Sequence, residues 1–146
     1  MLRWSERIDT LIEYLRADLP DLQVDIRPVT TEQPFRIIDF RPSSESLEVV
    51  ELIEGSEELI VLFGVNLRHE LGLTDESSAE AALKEASQLL HSIIFDGYEE
   101  STWARKNGVV RTEARINYAG QDHKFATSTL TGFFGGRKQV IWHRPW

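Results

Sequence analysis

The sequence predicts an α+β domain: two amphipathic helices packed on antiparallel β-sheet, in the order α-β-β-β-β-α-β-β-β-β, ending in a four-stranded meander. Three observations carry that expectation. Residues 77–97 place Ala79, Ala82, Leu83, Ala86, Leu89, Leu90, Ile93 and Ile94 at spacings of three and four, with Ser77 and Glu80 spaced as a capping box and Gly97 as the stop. Residues 98–146 carry three tight-turn signals, Asn107-Gly108, Gly120-Gln121 and Gly135-Gly136, which divide the block into four strands. Between the helices, short apolar runs are broken by Pro28, Pro34, Pro42 and Gly55. For 146 residues a single domain, 1–146, is the natural expectation.

Taken in order, residues 5–19 form the first helix. Ile8, Leu11, Ile12, Leu15 and Leu19 share a stripe, Ser5 can cap it, and Pro20 ends it. Residues 22–27 alternate as a half-buried strand, and residues 35–41 give a second. Residues 47–54 and 57–65 pair as a hairpin about Gly55-Ser56, with Leu52 opposite Leu59 and Val50 opposite Val61. Residues 66–76 are polar and irregular and lead into the second helix.

In the last block the turn signals set a register. Trp103 faces Thr112, Tyr118 faces His123, Ile116 faces Phe125, and Thr129 faces Trp142. One sheet face then carries Trp103, Thr112, Ala114, Ile116, Phe125, Trp142 and Trp146, and it should receive the Ala-rich side of the second helix. The other carries Glu100 and the row Thr102–Glu113–Ser128–His143.

Charge divides the chain. Residues 101–146 hold eight Lys and Arg against two acids, whereas residues 1–100 hold eight against twenty-two, so the blocks carry +6 and −14 within a net −8. Such an excess of acid disfavours nucleic acid and membranes and steers basic partners. There is no cysteine, hence no disulfide or thiol chemistry, which fits a reducing compartment. No apolar run approaches a membrane span, and a cytoplasmic protein that does not engage membranes is the expectation.

No metal, cofactor or catalytic site is expected. His69-Glu70 opens like a zinc helix, but Leu73 stands where the second histidine is required. Ser128 beside His143 would bring a nucleophile to a base, the basis for reading a small hydrolase or ligand-binding enzyme. Glu113 would flank Ser128 and not the imidazole, however, and mid-strand amides are occupied by the ladder.

At the level of element order the chain resembles small acidic secretion chaperones and toxin-immunity proteins, with no motif in common. The lack of a convincing active site, the compact size and the −14 on residues 1–100 lead to the expectation of a non-enzymatic module whose acidic face recognises a basic protein, as proteins of those kinds do. Asp9, Glu13, Glu48, Glu54, Glu57 and Glu58 are the candidate contacts, most concentrated at the hairpin tip. The plain alternative is a solvated surface. A second reading is RNA or single-stranded nucleic acid on a basic, aromatic sheet, with Trp103, Arg105, Arg111, Arg115, Lys124 and Arg144 as contacts. Its plain alternative makes the aromatics core.

Overall fold

A computed structural model describes residues 4–27, 31, 36–41, 49–55, 58–72, 76–106, 108–129 and 136–146, except for the side chains of residues 4–6 and 76–78. Among the described residues the fold is α+β, with two helices and nine strands in two antiparallel sheets. Helix α1 (Trp4–Asp18) is followed by β1 (Gln23–Arg27), β2 (Arg36–Arg41), β3 (Val50–Glu54), β4 (Glu58–Phe63) and β5 (Leu67–Gly72), which form one sheet in sequential order. Helix α2 (Glu76–His91) runs on into a π-helical turn, Ser92–Asp96. Then come β6 (Tyr98–Arg105), β7 (Gly108–Tyr118), β8 (Gln121–Ser128) and β9 (Arg137–His143), in the order β8-β7-β6-β9.

Strand β5 falls where the sequence reads as irregular. It is entered through a tight turn in which Gly64 and Asn66 are left-handed, conformations that glycine and asparagine tolerate. The β3–β4 hairpin pairs Leu52 with Val61 and Glu54 with Leu59, two positions from the expected register, so the same side chains share a face. The Gly55 amide donates to the Glu58 carbonyl, moving the centre of the turn to residues 56–57, outside the described residues.

In the second sheet β6, β7 and β8 form the expected meander, and β9 returns to lie beside β6, not β8. Residues 129–136 between them supply up to about 26 Å of reach. Three inter-strand spacings need only roughly 14 Å. The predicted pairing of Thr129 with Trp142 is therefore replaced by Glu99 with Trp142 and Tyr98 with His143. Tyr118 faces Gln121 across Ala119-Gly120, both left-handed, as a two-residue hairpin loop requires.

A bulge between Trp103 and Ala104 has the largest consequence. One extra residue on β7 reverses the facing of everything in β6 before it. Tyr98, Glu100 and Thr102 are buried, while Glu99, Ser101 and Trp103 take the outer face. The expected inner positions of Trp103 and Trp142 are thus corrected, and Glu100 moves inside. On β7 and β8 the expected inner residues Thr112, Ala114, Ile116 and Phe125 are buried.

The described residues group into two compact units, 1–62 with 70–87 and 63–69 with 88–146. The first buries Ile8, Leu11, Ile12 and Leu15 of α1 together with Ile38, Phe40, Leu52, Leu59 and Val61. The second buries Leu89, Leu90, Ile93 and Ile94 with the inner residues of its sheet, and the π-helical turn lies against β7. The first unit carries seven Lys and Arg against nineteen Asp and Glu, a net −12; the second carries nine against five, a net +4.

Candidate functional site

The acids of the first unit fall into two groups. Those within the sheet are neutralised locally. Asp39 accepts a bidentate pair from Arg27, two bonds of 3.1 Å, and Arg27 also reaches Glu51 at 2.8 Å. The Asp39 carboxylate raises the Arg27 pKa still further. Glu54 accepts from Arg36 at 2.7 Å with both side chains largely shielded. Glu54 is therefore tied down by Arg36 and is not a solvated tip charge. Glu48 and Glu57 lie outside the described residues.

The second group faces solvent. Asp9 and Glu13, one helical turn apart on α1, are exposed, as are Asp18, Asp21, Asp25 and Glu58. No ion pair joins any of these six to a described residue. On another side of α1, a groove between it and the first half of α2 is lined by Leu11, Tyr14 and Leu83 together with Arg7, Glu80 and Lys84. Arg7 pairs with Glu80 across it at 3.4 Å, and Tyr14 is 53% exposed.

The second unit offers a basic, aromatic outer sheet face. The bulge sets Trp103 there with Arg111 and Lys138 over its ring, at 4.7 and 5.4 Å. Pairing places Trp142, Glu99, Arg115 and Lys124 in one row across all four strands. Trp142 is 56% exposed. Of the nucleic-acid candidates, Trp103, Arg111, Arg115 and Lys124 are thus brought together; Arg105 and Arg144 are exposed at strand ends. Tyr118 and Phe125, aromatics of the same block, are buried on the inner face.

Glu113, central on this face, pairs with Arg111 and, at 3.3 Å, with Lys124. The Arg111 hydrogen bond holds its pKa below the ordinary glutamate value, partly opposed by burial. A lowered folded-state pKa means that Glu113 stabilises the fold above its unfolded pKa, and that this contribution is lost as pH falls through the folded one. Arg111→Ala should move the Glu113 titration upward, read by carboxyl NMR. An unmoved titration would show that Arg111 does not set it.

The row that suggested hydrolysis is dismantled. Ser128 is exposed on β8, paired with Arg111, whereas His143 sits on β9 beside β6. His143 instead donates from Nε2 to Glu100 Oε1 at 2.9 Å, and its ring stacks on Tyr98 at 4.4 Å. Glu100 is fully buried, and its Oε2 accepts the Val65 amide at 2.7 Å. Gly64 is left-handed, and a Cβ there would collide with Glu100 Oε2. The result is a carboxylate with both oxygens satisfied and an imidazole held in one orientation, on the opposite sheet face from Ser128.

The other histidines join aromatic contacts. His69 meets the edge of Phe125 and lies 3.5 Å from the Tyr118 hydroxyl, while His123 stacks on Tyr118 at 3.8 Å. Among the described residues no three His, Asp or Glu gather as metal ligands, and no helix is long and apolar enough to cross a membrane. Sequence reasoning missed the burial of Glu100 and the outward facing of Trp103 and Trp142. The bulge that decides all three leaves no local residue signature. No family model, no curated protein and no solved structure matches this chain.

Proposed function

We propose that this protein is a non-enzymatic binding module whose acidic first unit recognises a basic protein, as immunity proteins and secretion chaperones do. The observation that carries the reading is the solvent face of α1, where Asp9 and Glu13 are exposed and have no cationic partner among the described residues, on a helix whose other side borders a groove. Acids meant only to hold the sheet together have their arginines, as Asp39, Glu51 and Glu54 do. Those on α1 do not, and their field is free to act on a partner. The groove supplies what charge alone lacks, since Tyr14 is the kind of partly exposed aromatic that anchors interfaces.

The test is a pair of reversals, Asp9→Lys with Glu13→Lys, on the protein and on the basic partner recovered by affinity capture from its native cell. Association at low salt should slow by about tenfold or more while dissociation changes little, because exposed charges act on encounter. Salt should also affect the variant less than the parent protein. An unchanged association rate would retire the acidic face.

A further inference from the structure

We infer that the outer face of the second sheet is a separate site for single-stranded RNA. The inference does not rest on the protein-binding reading, because it uses the other unit and a different charge. Three features of that face converge. Trp142 presents an exposed indole with no ring or cation packed on it among the described residues, which is what an unpaired base needs to stack upon. Arg115 and Lys124 occupy the same row on neighbouring strands, both exposed, where phosphates of a strand lying across the sheet would meet them. Arg111 and Lys138 flank Trp103, and cations already held over an aromatic ring lose less freedom when they take up an anion.

The two acids on the face decide between kinds of polyanion. Glu113 is neutralised by Arg111 and Lys124. Glu99 stands between Trp142 and Arg115 in the row, so a featureless polyanion would be repelled there. A nucleotide stacked on Trp142 instead brings hydrogen-bond donors, a base N–H and the ribose 2′-hydroxyl, to a carboxylate that only accepts. The 2′-hydroxyl is the group by which proteins tell RNA from DNA. Apolar Val140, exposed between Lys138 and Trp142 on the same strand, suits the face of a sugar.

The full chain should be titrated, by fluorescence anisotropy, into a labelled oligouridylate of about a dozen nucleotides, within the range that one sheet-sized site covers. Binding should be measurable at about 50 mM salt and should weaken steeply as salt rises. Trp142→Ala should weaken it about tenfold, Trp142→Phe should largely restore it, and Arg115→Ala with Lys124→Ala should weaken it and flatten the salt dependence. All these positions are exposed, so far-ultraviolet circular dichroism should be unchanged. The corresponding oligothymidylate should bind more weakly. Absence of binding, indifference to Trp142→Ala, equal affinity for the DNA, or equal affinity for heparin or poly-glutamate would each overturn the assignment; the last would mark the face as a site for an acidic protein.

Discussion

Replacing Glu100 by alanine is expected to cost about 2–5 kcal/mol, because two donors lose their shared acceptor at roughly 1–3 kcal/mol each. The carboxylate is fully enclosed and satisfies two groups at once, the Val65 amide and His143 Nε2. Its loss leaves a buried donor unpaired on the 64–66 turn and removes the acceptor that orients the imidazole. Against a typical net stability of about 5–15 kcal/mol the protein would be brought near unfolding. Glu100→Gln, which keeps the shape and one acceptor, should cost less. His143→Ala should cost less again in the presence of Glu100→Gln than in the parent protein, because the two positions act on each other. Urea unfolding measures all of these. A Glu100→Ala change of under about 1 kcal/mol, below the cost of orphaning even one buried donor, would show that the pair is not buried.

A comparable loss is expected from Gly97→Ala, for a reason that involves no side chain. Gly97 has φ 72° and ψ 179°, a region that side-chain-bearing residues avoid at about 1–3 kcal/mol. An added Cβ would also collide with the His143 carbonyl oxygen and lie 3.0 Å from Pro145 Cδ. Moving that carbonyl disturbs the pairing of Tyr98 with His143, on which the Glu100 contact depends. Gly108 supplies the control: its φ is 118°, yet a Cβ there meets nothing within 4 Å. Gly97→Ala should therefore lower the urea midpoint well beyond Gly108→Ala. Equal effects would mean that β9 does not close on β6 at that point.

Both sites show where local reading stops. The helices were legible because periodicity is a local property: Ala82, Ala86, Leu89, Leu90, Ile93 and Ile94 are buried as their spacing predicts. The hairpin registers came out two positions away from the observed ones, at Glu54 with Leu59 and at Tyr118 with Gln121, and that error preserves which side chains share a face. The bulge at Trp103 shifts by one, and that error does not. An acid in a strand reads as solvated, so nothing in the vicinity of Glu100 marks it as interior; the requirement comes from Val65 and His143, 35 and 43 residues away. The strand order has the same origin. Gly135-Gly136 suggests a turn, but the choice of β6 over β8 as partner for β9 depends on the whole sheet.

The two units interleave along the chain, since the first comprises residues 1–62 and 70–87 and the second 63–69 and 88–146. Three passages between units mean that no single cut separates them. During synthesis the Val65 amide emerges 35 residues before the carboxylate that will accept it. At about 5–20 residues per second that is an interval of roughly 2–7 s in which the 64–66 turn is held by neither Glu100 nor the β6 strand. A nascent chain halted near residue 87 would contain every residue of the first unit and all five strands of the first sheet, while the Val65 amide between β4 and β5 would still lack the carboxylate that accepts it.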